Sequence, residues 1–502
     1  MEFLHELLDK TSIYKIRILY ILKNKSDFIG LDELSKISGL ERRTLEGYID
    51  ELYKDYLEFV IEPSKLSLTI LGKKIKMDYH LYEDFYYFQM YIISNSFSIK
   101  LLSNLLLGDT INTTRYLAEY FISKSTLQRR VNNIRMLLNI YDIKLSNTKG
   151  ELHLIGDEAQ IRILAYTFFW ILYKGKSWPF PVKKNQIENM QIELFHPYDN
   201  QLSKTNIEDS LFILAINTIR YRKGYTINFS QLEVQELLFE DFVLYKNNWE
   251  KKYYLSSNEY FFFLLVLQTQ SKFYLDKQLK TPILELHKKF RTSIYKSVET
   301  FFSYFSKSIY FISASQKEKF YTHILANHLF CFLFKTAPVG IFGHPTVSNV
   351  NTRFPKLTLK LEQLISQLYK ETGLTIFENQ KFLIPNYALF FASIQNIAYF
   401  ETEISIFIDT DLPILAEERL RNLLFHFLEG SYNIKIVNSI DKLKKSSFDL
   451  VLTSSFVPEI KSASKDEQLI YITEELRIED LVRINEALFK IRQKKNSYPS
   501  ES

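Results

Sequence analysis

The stretch NTTRYLAEYFISKSTLQRRVNNIRMLLNIYDIKLSNTKGELHLI, residues 112–155, decides how this chain is read. Thr113 or Thr114 is placed to cap a short helix carrying Tyr116, Leu117, Ala118 and Phe121. The turn Ile122-Ser123-Lys124 leads to Ser125, a residue type whose hydroxyl satisfies an orphan backbone N–H at the start of a second helix. In that helix Leu127, Val131, Ile134 and Leu138 fall within about 60° of one another at 100° per residue, which makes them a buried seam. The opposite face carries Ser125, Gln128, Arg129, Asn132 and Asn133, with Arg130 and Arg135 on its flanks. Arginine reads guanine edges, asparagine and glutamine read adenine, and flanking arginines reach phosphates, so these are the side chains a major-groove helix needs. Ile143–Leu145 and Leu152–Ile155, joined by Asn147-Thr148-Lys149-Gly150, form a two-stranded wing that brings Lys144 and Lys149 to the DNA backbone. From residue 99 to 149 there are 8 lysines and arginines against 3 carboxylates.

Working outward, residues 31–60 repeat this layout. A helix from Leu31 to Ser38 meets a turn at Gly39-Leu40, and a second helix starts at Glu41 with the seam Leu45, Ile49, Leu52 and Tyr56. Its outer face holds Arg43, Glu46, Gly47, Asp50 and Lys54. Two carboxylates facing a polyanion are unfavourable, so this unit is expected to be the weaker reader, with Arg43 as its main basic contact. Alternation at Leu57–Glu62 and Leu66–Leu71 around Glu62-Pro63-Ser64-Lys65 predicts its hairpin, and helices are expected to resume near Tyr79. Residues 1–160 hold 21 basic and 22 acidic side chains, so the positive charge is local to the second unit.

The remaining chain agrees with a mainly α, multidomain fold. Aromatics make up 15% of the 502 residues, while Gly (13) and Pro (12) are scarce, which disfavours turn-rich all-β architectures. From 157 to 400 apolar residues recur at helical spacing, as in Leu211, Leu214, Ile216 and Ile219. After 401 short apolar runs at Ile404–Ile408, Asn433–Val437, Phe448–Leu452 and Leu469–Ile472 alternate with helices at Glu417–Leu428 and Glu479–Ile491, which predicts a small parallel α/β sheet. The net charge of +5 does not by itself announce nucleic acid, and the single Cys331 excludes a disulfide framework. No apolar run approaches ~18 residues, so a cytoplasmic protein without a membrane partner is expected.

Two consecutive helix-turn-helix units, paired helical regions and an α/β tail together resemble the Mga/AtxA class of Gram-positive virulence regulators. The passage Leu152-His153-Leu154-Ile155-Gly156-Asp157-Glu158-Ala159-Gln160-Ile161-Arg162 resembles that class where the wing enters the helical core. The resemblance implies winged helix-turn-helix modules at 1–72 and 73–156, PRD-like domains at 157–280 and 281–400, an enzyme IIB-like α/β domain at 401–493 and a disordered tail at 494–502. It further implies regulation by the sugar phosphotransferase system through phosphorylated HPr acting on a histidine. The first-repeat helix, Leu211 to Gly224, has no histidine; the second, Phe320 to Lys335, offers His323 and His328, with His328 slightly preferred. The phosphocysteine of enzyme IIB is absent, its loop reading Asp409-Thr410-Asp411, where the carboxylates are read as capping or solubilising groups.

No Walker A loop, zinc-protease motif or serine-hydrolase elbow is present, so no enzyme, cofactor or metal centre is expected. His344 and His196-Pro197 read as turn residues. The leading function is a regulator that binds double-stranded promoter DNA as a homodimer, its interface supplied by the tail helix around Leu420, Leu423, Leu424 and Phe427. An RNA-binding antiterminator and a phosphotransfer component are the competing classes.

Overall fold

The computed structural model describes residues 6–59, 65–195, 204–229, 237, 246–275, 277–340, 349–438, 448–455, 469–473 and 476–497. They form two compact units, Met1–Val298 with Thr322–His344, and Glu299–Tyr321 with Pro345–Ser502. Helices dominate both.

The first unit opens with α1 (Lys10–Lys23), β1 (Ile29–Gly30), α2 (Leu31–Ser38), α3 (Arg42–Phe59), β2 (Leu66–Leu71) and β3 (Lys74–Tyr79). β2 and β3 pair antiparallel from Leu66 opposite Tyr79 to Leu71 opposite Lys74, and β1 adds to the far edge of β3. The hairpin expected at Leu57–Glu62 is therefore displaced. Leu52 and Tyr56 continue the seam of Leu45 and Ile49, which carries α3 through Phe59, and the run after Leu71 supplies the second strand. Gly72, at φ +58, takes the left-handed turn between the strands. Glu62, Pro63 and Ser64 lie outside the described residues. Because β3 belongs to this sheet, the first module runs through Tyr79 rather than ending at 72, and helix resumes at Tyr82.

A second copy follows: α4 (Tyr82–Asn95), α5 (Phe97–Leu106), β4 (Ile111–Asn112), α6 (Thr113–Glu119), α7 (Lys124–Ile140), β5 (Lys144–Thr148) and β6 (Glu151–Ile155). Its three-stranded sheet has the same order as the first, the short strand pairing with the last. The wing tip is pinned, since the backbone N–H and hydroxyl of Thr113 both donate to the Gly150 carbonyl at 2.8 Å.

α8 (Glu158–Tyr173) starts at Asp157, whose carboxylate accepts from the N–H groups of Ala159 and Gln160, and every residue from Gln160 to Leu172 is buried. Being buried on all sides, it lies at the centre of a helical body. It packs against α4 and α5 of the second module and against a helix of the body that follows, which comprises α9 (Lys184–Phe195), α10 (Lys204–Arg222), α11 (Lys246–Tyr253), α12 (Ser257–Gln268) and α13 (Lys277–Phe290), the contacting helix being α10. Two fully buried arginines run through this body. Arg162 donates to Glu259 from two nitrogens, to the Tyr225 carbonyl at 3.0 Å and to Glu158 at 2.8 Å. Arg220 grips both oxygens of Glu158 at 2.7 Å and donates to the Leu106 carbonyl at 2.7 Å. That last bond ties the helical body to α5 of the second module. At the same joint Gly108 has φ +89, and a Cβ there would stand 2.8 Å from the Tyr225 ring, so only glycine fits.

α14 (Ser293–Ser308) and α15 (Ala314–Leu333) each contribute to both units. The expected borders at 280 and 400 are not where the units divide. Ser297 bonded to His328, Phe334 against Phe262 and Thr336 bonded to Gln160 keep residues 322–344 with the first unit. In the second unit Phe301, Phe305 and Phe320 pack on Phe390 of α18 (Gln380–Ala392), which lies beside α17 (Pro355–Thr372); the one-turn helix α16 (Val350–Arg353) precedes them. This unit ends in a wholly parallel sheet of order β10-β9-β7-β8, built from β7 (Ile404–Asp409), β8 (Ile434–Asn438), β9 (Leu450–Thr453) and β10 (Leu469–Tyr471). α19 (Ile414–Leu428) and α20 (Ile478–Ser497) cover it, with Leu420, Leu424, Ile484 and Leu488 in the core. α20 continues to Ser497, past the expected start of a disordered tail at 494, and 498–502 lie outside the described residues. Among the described residues no helix is long and apolar enough to cross a membrane.

Candidate nucleic-acid interface

The two modules superimpose in sequence at one constant offset. Leu45, Ile49, Leu52 and Tyr56 are buried in α3 where Leu127, Val131, Ile134 and Leu138 are buried in α7. With the inward seams matched, the outward faces differ position for position: Glu46, Gly47 and Asp50 in α3 stand where α7 has Gln128, Arg129 and Asn132. The local caps lie one or two residues before those expected. Asn112, not Thr113 or Thr114, caps α6 by accepting from the Arg115 N–H at 3.0 Å. Ser123, not Ser125, caps α7 by accepting from the Thr126 N–H at 3.2 Å. Ser125 therefore lies inside the first turn of α7, exposed, with its hydroxyl 2.9 Å from that of Ser123.

Ser125, Gln128, Arg129 and Asn132 are exposed together on the outer face. Gln128 and Arg135 both donate to the Asn132 side-chain carbonyl, at 3.1 and 3.0 Å, which lines up an amide–amide–guanidinium row along the helix. Asn132 keeps its amide N–H₂ for an outside acceptor. Arg129, Lys144 and Lys149 make no ion pair among the described residues, and both wing lysines are exposed. Two of the expected contacts are drawn inward. Arg130 lies over the Phe97 ring, 4.6 Å from its centroid, with Asp9 at 3.7 Å; burial lowers its pKa and Asp9 opposes that shift. A guanidinium held this way positions α7 rather than reaching a phosphate. Asn133 is half-buried and donates to the Glu6 carbonyl at 3.4 Å, so the chain's N-terminal segment lies along this flank.

In the first module Arg43 is exposed, but its neighbour Arg42 is neutralised by Asp32 at 2.9 Å and Glu46 at 3.2 Å. That is the charge balance of a surface with little net attraction for phosphate. Its wing is different: Lys73 and Lys74 stand exposed at the tip. The alternation at Leu57–Glu62 points to a hairpin one strand too early and so passes over these two lysines, although the Leu71-Gly72-Lys73-Lys74 turn carries their signal. Arg115 on α6 and Lys124 at the first position of α7 are further exposed cations beside the second recognition face.

The histidines lie elsewhere, in α15. His328 is fully buried, its Nδ1 2.8 Å from the Ser297 hydroxyl, and burial pushes its pKa down to about 3. His323 is half-buried, its Nε2 3.2 Å from the Asn327 amide, with its pKa lowered by burial. A protein phosphodonor must reach the ring nitrogen, and of the two expected candidates His323 is the more accessible. His196 and His344 lie outside the described residues.

A recognition helix with an amide-rich, cationic face, carried beside a wing in a body with three-stranded sheets, defines a DNA-binding helix-turn-helix protein by geometry. Residues 81–169 match the family described as the Mga helix-turn-helix domain, a span that runs from the start of α4 to near the end of α8. The match supports a DNA-binding helix-turn-helix role in transcription regulation for this part of the chain. No curated protein matches this chain.

Proposed function

We propose that this protein is a transcriptional regulator, acting at double-stranded promoter DNA in the cytoplasm, whose helical domains couple it to the sugar phosphotransferase system. The observation that carries the reading is the row Gln128–Asn132–Arg135 on α7, its two amides exposed, beside the exposed Arg129, which makes no ion pair among the described residues, inside the matched helix-turn-helix domain. Promoter activation of virulence or carbohydrate-responsive genes is the output that fits the family. Mapping bound DNA across the genome, alongside titration of the full chain with duplex DNA and hairpin RNA, tests it. Discrete duplex sites with weaker RNA binding are expected; preferential binding of hairpin RNA would favour the antiterminator class and overturn it. A phosphotransfer role has less support, because Cys331 is buried with its thiol pKa pushed up.

In this reading the helical regions are PRD-like, the tail is enzyme IIB-like, and His323 is the phosphoacceptor for HPr. Phosphorylation adds nearly two negative charges, which a half-buried imidazole accommodates only if the surrounding helices shift. Incubation with phosphorylated HPr followed by mass spectrometry is expected to find phosphate on His323 and none on His328; phosphate on His328 alone would reverse the assignment.

The reading includes a homodimer formed through the tail. Leu420 and Leu424 are core residues and unavailable, whereas Leu415, Leu423 and Phe427 are exposed along one side of α19. Leu423→Lys with Phe427→Lys is expected to convert a sedimenting dimer to monomer without unfolding the α/β domain; an unchanged oligomer would exclude α19.

A further inference from the structure

The turn between α6 and α7 holds a residue that the fold alone does not explain. Phe121 has φ +50, a left-handed backbone that a bulky L-residue rarely takes, and its side chain is 94% exposed. Its counterpart in the first module is Gly39, at φ +69, likewise three residues before the recognition helix begins, with open space where a Cβ would stand. The same turn is thus made once with the residue that suits it and once with an aromatic ring that gains no packing. The ring is not there for want of aromatic neighbours. Tyr120, just before it, packs tilted against Tyr116 and edge-on to Phe97, with centroids 4.6 and 5.1 Å away, and fills that cluster. Among the described residues Tyr254 also combines a left-handed φ with an exposed ring, but it directly follows α11, outside the helix-turn-helix modules.

The surroundings of Phe121 are those of a surface made for a polyanion. Lys124 and Arg129 are exposed on the helix that follows, Arg115 on the helix before, and the hydroxyls of Ser123 and Ser125 lie between. The start of a recognition helix is the part that enters the major groove, where an apolar side chain has one specific target, the thymine C5 methyl group.

We infer that Phe121 is a base-reading contact of the second module, packing its ring on a thymine methyl at the edge of the site read by α7. The inference rests on the DNA-binding reading above. The gain from covering the ring in the complex offsets its exposure and its strained backbone in the free protein, which is why a large apolar ring, and not a polar side chain as at Asp142 and Lys149, stands exposed on a left-handed backbone here.

The test uses full-length protein and the duplex it selects from a randomised library. Phe121→Gly is expected to melt no lower than wild type, because glycine accepts the left-handed turn, while its affinity for the selected duplex falls about tenfold. Replacing thymine by deoxyuridine in that duplex removes only the methyl groups. This change should weaken wild type and leave Phe121→Gly unaffected at the contacted position. Unchanged affinity of Phe121→Gly overturns the inference, as does equal sensitivity of both proteins to deoxyuridine at every position. Normal duplex binding by Phe121→Gly with lost promoter activity would assign the ring to a protein partner and also overturn it. Arg129→Ala separates the two levels. If it weakens binding while Phe121→Gly does not, the DNA reading stands without Phe121; a wild-type chain that selects no duplex removes both.

Discussion

Glu259→Ala is expected to cost about 3–5 kcal/mol, the usual penalty for stripping one partner from a buried ion pair. Glu259 is 1% exposed and Arg162 0%, and the carboxylate also accepts the Ile227 N–H at 3.1 Å. Burial by itself pulls the Arg162 pKa down, and its bonds to Glu259 and that residue's charge are the main reason it is nevertheless raised, so removing Glu259 strips a buried guanidinium of the partner that offsets its desolvation. Remaining contacts do not compensate. Glu158 already serves Arg220 through both oxygens, and Asn217 is shared with the Tyr166 hydroxyl. Urea denaturation followed by circular dichroism measures the loss; a change below about 1 kcal/mol would show that water or relaxation replaces the carboxylate. Combining Arg162→Met with Glu259→Leu should recover much of the stability, since an apolar pair of similar volume avoids the desolvation that the ions suffer. The cluster therefore has more to do with fixing one arrangement than with net stability. Arg220, bonded to both Glu158 and the Leu106 carbonyl, passes that arrangement to the helix on which the second module is built.

How much of this was legible in the chain follows from what each feature depends on. The α7 seam, the wing around Lys149-Gly150 and the parallel tail strands are local patterns of period 3.6 or 2, and they stand within a residue or two of where periodicity puts them. The first hairpin was misplaced because Leu57–Glu62 alternates as a strand does, while the longer-range match of Tyr56 to the α3 seam decides for helix. Ser123 rather than Ser125 as cap is a choice between two equally suitable hydroxyls, settled by where the turn closes. The inward fate of Arg130 could not be read at all, since Phe97 and Asp9 come from distant parts of the chain. Likewise Arg162 and Arg220 look like any helical arginines until Glu158 and Glu259 are folded against them. The candidate interface was legible where it is exposed and illegible where tertiary contacts claim its side chains.

That division predicts which cations matter for DNA. Arg129 is exposed, carries no ion pair among the described residues, and occupies the place of Gly47 in the first module, so its role is free to be recognition. Arg129→Ala is expected to cost about 1–3 kcal/mol on a selected duplex and to relax specificity at one base pair, as loss of a bidentate guanine contact does. Lys149→Ala, at the wing tip, should weaken all sequences alike and lower the slope of log affinity against log salt by about 1. Arg130→Ala should behave differently from both. Its guanidinium spans Phe97 and Asp9, so the substitution loosens the seating of α7 and lowers the melting temperature, with little change in the salt slope. Arg43→Ala should have the smallest effect on affinity, because Glu46 and Asp50 on the same face offset its attraction for phosphate. Titrations of the four variants against matched and mismatched duplexes at several salt concentrations separate these outcomes. Comparable losses from Arg43→Ala with Arg129→Ala silent would move the reading helix from the second module to the first.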